Sequence, residues 1–155
     1  MPNDTFNQQI QNLYSRILLN RESSNTHSLL ETIINTDKKI GIVFSGQGSD
    51  TLAELRALHD HSDRAREFIV LADQHLRQWV KQPNILSRGM FAFGVSPLEW
   101  ITKDRTPPAA YLTSTAVSHP LIFIAQVAQL LSNAENGLDN LFINNHVEFI
   151  AGYSQ

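Results

Sequence analysis

Ile40-Gly41-Ile42-Val43-Phe44, running into Ser45-Gly46-Gln47-Gly48-Ser49-Asp50, is the stretch on which the fold reading turns. A short β-branched and aromatic run bounded by turn residues is the mark of a buried strand. It empties directly into a loop with two glycines and a candidate helix cap, after which Leu52, Leu55 and Leu58 continue as a helix. Near the other end of the chain, His146-Val147-Glu148-Phe149-Ile150-Ala151 reads as a second strand, followed by Gly152-Tyr153-Ser154-Gln155. Strand, loop, helix and later strand again predict an α/β architecture with a mainly parallel sheet.

Working outward, Phe6, Ile10, Leu13, Ile17 and Leu18 recur at spacings of three and four, an amphipathic helix that Asn3 or Asp4 would cap. A polar stretch from Asn20 to Asn25 breaks the pattern, and Leu29, Leu30, Ile33 and Ile34 predict a second short helix before Lys38. Residues 1–37 thus read as a helical lead-in, and 38–155 as part of one domain. Downstream of the first strand, Phe68, Ile69, Ala72, Leu76, Trp79 and Val80 predict a helix ending near Pro83. Ser96-Pro97 has the form of an N-cap with proline at the first helical position, heading a short helix through Trp100. Pro107-Pro108 marks a loop. After His119-Pro120, the run Leu121 to Leu131 predicts a strongly apolar, largely buried helix, with Gly137 just beyond it.

The chain has 155 residues, 42% of them hydrophobic, with 12 Lys+Arg against 15 Asp+Glu and a formal net charge of -3. A chain of this length buries roughly two-thirds of its unfolded surface, which suffices for a core, and its apolar content argues against disorder. The modest negative balance argues against nucleic acid or an anionic membrane as the main partner. No apolar run in the sequence approaches the ~20 residues of a membrane span, and the N-terminus lacks the apolar core of a secretory signal. Zero cysteines exclude disulfides, thiolate metal sites and cysteine nucleophiles, and fit a cytoplasmic setting.

Two places carry chemistry. A serine after a strand in the frame G-x-S-x-G forms a nucleophile elbow, whose tight strand-to-helix turn aims the hydroxyl away from the sheet and requires small flanking residues. Gly152-Tyr153-Ser154-Gln155 supplies all of that frame but its last position. The loop Phe44-Ser45-Gly46-Gln47-Gly48-Ser49 carries glycines that let the main chain turn sharply and present N–H groups. Neither G-x-G-x-x-G nor G-x-x-x-x-G-K-[ST] is present, so a donor loop for a developing oxyanion fits better than a phosphate cradle. Both sites follow strand ends, where open α/β sheets place their ligands.

This pairing resembles the acyl-CoA:acyl-carrier-protein acyltransferases, the malonyl/acetyl transacylase family. Its members carry a strand with an F-x-G-Q-G loop, an apolar helix introduced by proline and containing a glutamine, and a strand running into G-x-S-x-G. The counterparts here are Phe44 to Gly48, Pro120-Leu121-Ile122 with Gln126, and Val147 to Gln155. Asn84-Ile85-Leu86 and Leu98-Glu99-Trp100 are more similar to the N-terminal acyltransferase domain of type I fatty acid synthases, fungal and bacterial. The resemblance spans about residues 38–155. It implies an α/β-hydrolase-like acyltransferase domain, of which this chain holds the N-terminal half up to the elbow.

It further implies Ser154 as nucleophile, with the backbone N–H groups of Gln47 and Gln155 as the oxyanion hole. Gly46, Gly48, Tyr153 and His119 would contact substrate; family members usually have histidine where this chain has Tyr153. The acyl group, expected to be acetyl, would pass from coenzyme A through an acyl-serine to the phosphopantetheine thiol of acyl carrier protein in fatty acid synthesis. Implied partners are acyl-CoA as substrate, the carrier protein and the remaining domains of an oligomeric multienzyme, with no covalently bound cofactor and no metal. The general-base histidine and acyl-selecting arginine would lie beyond residue 155, so the 155-residue chain is expected to be inactive alone.

Other readings of the same residues are a serine hydrolase or thioesterase, which would use water as acceptor, and a non-catalytic assembly module docking through residues 1–37. The H-x-H pair His59 and His61 reads as a solvated helix end, because i and i+2 residues on a helix point in different directions. His119 reads either as a pocket residue or as a structural histidine at the loop-to-helix junction. Gln126 supports an active-site floor or faces a polar gap. Trp79 and Trp100 are expected in the core, and the mixed charges from Asp60 to Arg66 on a solvated face.

Overall fold

The computed structural model describes residues 29–44, 50–103, 105–135 and 137–152. The expected helix over residues 4–19 lies outside them. The chain divides into two compact units, one built from residues up to 45 together with 133–153, the other essentially from 46–132.

In the first unit, α1 (Leu29–Thr36) ends as its sequence predicts, just before Lys38. Asp37 takes a positive φ of 49°, and the Lys38 N–H reaches back to the Ile33 carbonyl at 3.2 Å. That is the left-handed closing turn usually made with glycine, and aspartate is among the few other residues that tolerate it. Strand β1 (Ile40–Phe44) pairs in parallel with β2 (Val147–Gly152). The register runs Gly41 to Phe149, Ile42 to Ile150, Val43 to Ala151 and Phe44 to Gly152, and a shift between Ile40 and Gly41 leaves Glu148 as the extra residue. Gly41 is glycine for a reason visible in this register. A Cβ there would overlap the ring of Phe149, which lies across the glycine.

Parallel pairing and apolar composition agree with the α/β expectation, whereas strand burial does not. Val43 is 66% exposed, Phe149 55% and Ile150 59%. The strands were expected to be buried because continuous apolar runs belong to sheets covered on both faces. Among the described residues the sheet has two strands, and these apolar side chains remain open. The β2 strand also starts one residue later than predicted. His146 closes α8 (Asn140–His146), a helix that periodicity does not reveal because four of its seven residues, Asn140, Asn144, Asn145 and His146, are polar. Asp139 starts it by accepting the Phe142 N–H at 2.9 Å, and the buried Phe142 holds the His146 ring at 5.0 Å.

The second unit is helical: α2 (Thr51–His61), α3 (Asp63–Val80), α4 (Pro83–Leu86), α5 (Pro97–Thr102), α6 (Ala109–Leu112) and α7 (Thr115–Glu135). Ser62 alone joins α2 to α3 and serves both. Its N–H donates to Leu58 O at 3.1 Å while its buried hydroxyl accepts the Ala65 N–H at 3.1 Å. Ala65, Phe68, Ile69 and Ala72 line the buried face of α3 at the spacing read from the sequence, and Leu55, Trp100 and Ile101 bury with them in this core. Arg66 does more than face water. It donates to the carbonyls of His59 and Asp60 and to Asp63 Oδ1, strapping the end of α2.

Three expectations need correcting. Trp100 is buried, but Trp79 is 37% exposed. Helix α7 starts at Thr115, so Pro120 lies inside it rather than at its head, and His119 is an exposed helical residue rather than a junction. Only one face of α7 is buried, through Val117, Ser118, Leu121, Ile124, Ala125, Ala128 and Leu131, while Phe123 is 62% exposed. The added turns also make α7 long and apolar enough to cross a membrane by length and composition, which the shorter run read from the sequence is not.

Candidate active site

The geometry that bears on the site is the end of the parallel pair. Phe44, the last residue of β1, is the register partner of Gly152, the last of β2. Adjacent strands lie about 4.8 Å apart. In a parallel pair both chains run towards the same edge, so Phe44 and Gly152 together mark the C-terminal end of the sheet. This is the edge at which α/β folds bind ligands. Gly46, Gln47, Gly48, Tyr153, Ser154 and Gln155 themselves lie outside the described residues. Asp50, the next described residue after Phe44, caps α2 by accepting the Ala53 N–H at 3.1 Å.

Gly152 is extended, and a Cβ there would meet nothing within 4 Å. Among the described residues there is therefore room for a side chain at the position where the elbow motif calls for a small one.

The histidines can be placed more fully. His146 stands at the opposite end of β2 from Gly152, six residues or about 20 Å along the strand. Its Nδ1 faces the Lys38 carbonyl at 3.4 Å. It belongs to the N-terminal edge of the sheet, away from the edge that leads to Ser154. His59 Nδ1 meets Asp60 Oδ1 at 3.1 Å, and His61 Nδ1 meets the Ala57 carbonyl at 2.8 Å. The two rings of the H-x-H pair turn to different partners, and among the described residues no group of three His, Cys, Asp or Glu side chains is placed to hold a metal. His119 is exposed on α7, and Gln126 on the same helix is half-buried.

Sequence reasoning missed one polar constellation, centred on Asp73. This carboxylate is 2% exposed on α3, and its Oδ1 accepts from Ser96 Oγ at 2.9 Å and from Leu98 N at 3.1 Å. Ser96 precedes α5 as predicted, but its hydroxyl does not cap the helix; Asp73 does so from a neighbouring helix. An acidic residue on the apolar face of α3, at Phe68 + 5, was the available signal. Nearby, Glu99 is held below the usual carboxylate range, chiefly by the hydrogen bond from Lys103 and by its charge.

Comparison with known proteins bears on residues 42–155, which match the family described as "Starter unit:ACP transacylase in aflatoxin biosynthesis". The chain belongs to this family. The matched span takes in both Phe44 to Gly48 and Ser154, and the family is one of acyltransferases. The chain is also 26% identical over 137 residues to "Fatty acid synthase 2" of Mycosarcoma maydis, an alignment covering 83% of this chain and 4% of that protein. The chain thus spans a small fraction of the length of that curated relative. No solved structure matches it.

Proposed function

We propose that this transacylase moves an acyl group, acetyl by preference, from coenzyme A to the phosphopantetheine thiol of acyl carrier protein, within a larger cytoplasmic synthase. The observation that carries the reading is the pairing of Phe44 with Gly152. It supports a strand end that brings a main-chain donor loop and a serine elbow to one edge of an α/β-hydrolase-like sheet.

Ser154 Oγ attacks the thioester carbonyl and passes its proton to a base, for which no histidine of this chain is assigned. Main-chain N–H groups of Gln47 and Gln155 hold the oxyanion. Such a donor is worth about 10²–10³-fold in rate, and because the donors are backbone groups, replacing either glutamine side chain leaves them in place. The C–S bond breaks, coenzyme A leaves as its thiol, and an acyl-serine ester remains. The carrier thiol then attacks that ester, releasing Ser154 and completing a two-step transfer. Gly46, Gly48 and Tyr153 line the acyl-CoA path, with His119 as a further contact.

Acetyl-CoA labelled in the acetyl group is expected to transfer label to holo carrier protein when mixed with a polypeptide carrying the complete domain. Ser154→Ala is expected to abolish transfer. Release of free acetate at one rate with and without carrier protein would instead identify a hydrolase. The 155-residue chain is expected not to turn over by itself, and sustained transfer by it would refute that expectation.

A further inference from the structure

The second unit displays an apolar surface that the reaction does not account for. Residues 87–95, Ser-Arg-Gly-Met-Phe-Ala-Phe-Gly-Val, form a loop between α4 and α5 bracketed by two glycines at positive φ, Gly89 at 65° and Gly94 at 66°. The loop is held in place. Phe91 packs edge-on to Trp79 at 5.7 Å, Phe93 packs against Tyr111 at 5.1 Å, and the Tyr111 hydroxyl donates to the Gly94 carbonyl at 2.6 Å. Yet Phe93 is 59% exposed, Met90 42%, Leu86 65% and Trp79 37%. Apolar side chains fixed in an exposed arrangement, rather than folded inward, mark a surface that binds something.

Charge says what kind of partner. Residues 74–98 contain Arg77, Lys81 and Arg88 and not one Asp or Glu, although the chain as a whole carries a net charge of -3. Arg77, Lys81 and Arg88 are all exposed. The patch is aromatic and aliphatic at its centre; Arg77 is shared with Asp73 at 3.8 Å and with Glu99, which leaves Lys81 and Arg88 as the positive charges beside it. Its complement is an acidic protein surface that also offers apolar side chains. We propose that the face formed by Trp79, Leu86, Met90 and Phe93, with Lys81 and Arg88, docks an acidic protein partner, the carrier protein of the transfer. This deepens the functional reading above and rests on it for the partner's identity.

The test is titration of the 155-residue chain into fluorescently labelled holo acyl carrier protein, read by anisotropy at several salt concentrations. The expected result is saturable binding that weakens as salt rises. Combined Lys81→Glu and Arg88→Glu is expected to weaken it about tenfold, the change that 1.4 kcal/mol produces. Phe93→Ser is expected to weaken it to a similar degree, with the circular-dichroism spectrum of both variants and the melting of the charge variant unchanged. Lys38→Glu, in the other unit, is expected to leave binding as it was. Undiminished binding by the patch variants overturns the proposal. So does an equal loss from Lys38→Glu, absence of binding by the unmodified chain, or binding to anionic phospholipid vesicles in place of carrier protein. The two readings fail separately. A polypeptide with the complete domain would still acylate Ser154 if only the docking face is misassigned, and carrier binding would persist without acylation if only the serine is.

Discussion

Asp73 shows how one buried side chain organises its neighbourhood. Its carboxylate satisfies Ser96 Oγ and the Leu98 N–H together, while Arg77 stands 3.8 Å from its other oxygen. Removing a buried acceptor strands its donors, at about 1–3 kcal/mol. Asp73→Ala is therefore expected to lower unfolding free energy by about 2 kcal/mol, and Asp73→Asn, which keeps an acceptor oxygen, by about half as much, both read from urea denaturation. A loss below about 0.5 kcal/mol for the alanine variant would contradict the role. Tyr111 gives a pH-dependent counterpart. Burial pushes its phenol above the ordinary value of 10.0, against a smaller opposing effect from the Phe93 backbone. Because the folded pKa lies above the unfolded one, its contribution is full below about pH 10 and is lost as pH rises through the folded value. Tyr111→Phe is expected to destabilise by about 1 kcal/mol at neutral pH, a difference that melting curves should show shrinking in strong alkali.

At the scale of elements, Pro120 is the instructive case. Proline after His119 reads as a helix start, since proline favours first-turn positions. The helix instead begins at Thr115, with the Ser118 N–H already bonded to Ser114 O at 2.8 Å. Pro120 then sits where its missing N–H deprives the Ala116 carbonyl of its helical partner. Pro120→Ala is expected to raise thermal stability, by about 1–3 kcal/mol; a destabilised variant would show that the proline ring is needed for packing. Long periodic helices and the β-branched strand were legible because their patterns span several turns or several residues of strict composition. The one-turn helices α4 and α6 and the Asn-rich α8 were not. Their existence depends on tertiary contacts and single caps such as Asp139, which periodicity does not register.

For the molecule as a whole, the same exposure that contradicts the sequence expectation of buried strands has a physical consequence. Among the described residues Val43, Phe149 and Ile150 present exposed apolar side chains on a two-stranded sheet, and exposed sheet surface favours association with other chains. Sedimentation of the 155-residue chain should show self-association that rises with concentration and is reduced by Ile150→Lys; a monomer at all concentrations would mean the sheet is shielded. The family was legible from two motifs, because they are written in short fixed spacings around glycine. What sequence could not supply is the register of the parallel pair, with Phe44 opposite Gly152. Pairing between segments a hundred residues apart is a property of the fold, not of local pattern.

The identity of the acylated residue is the most direct test of the account. A polypeptide carrying the complete domain, mixed with acetyl-CoA, quenched in acid and digested, should yield an acetyl group on the hydroxyl of Ser154 by mass spectrometry. The adduct should disappear in Ser154→Ala and on addition of holo carrier protein. An acetyl ester found on another residue, or one that forms undiminished in the alanine variant, would contradict it.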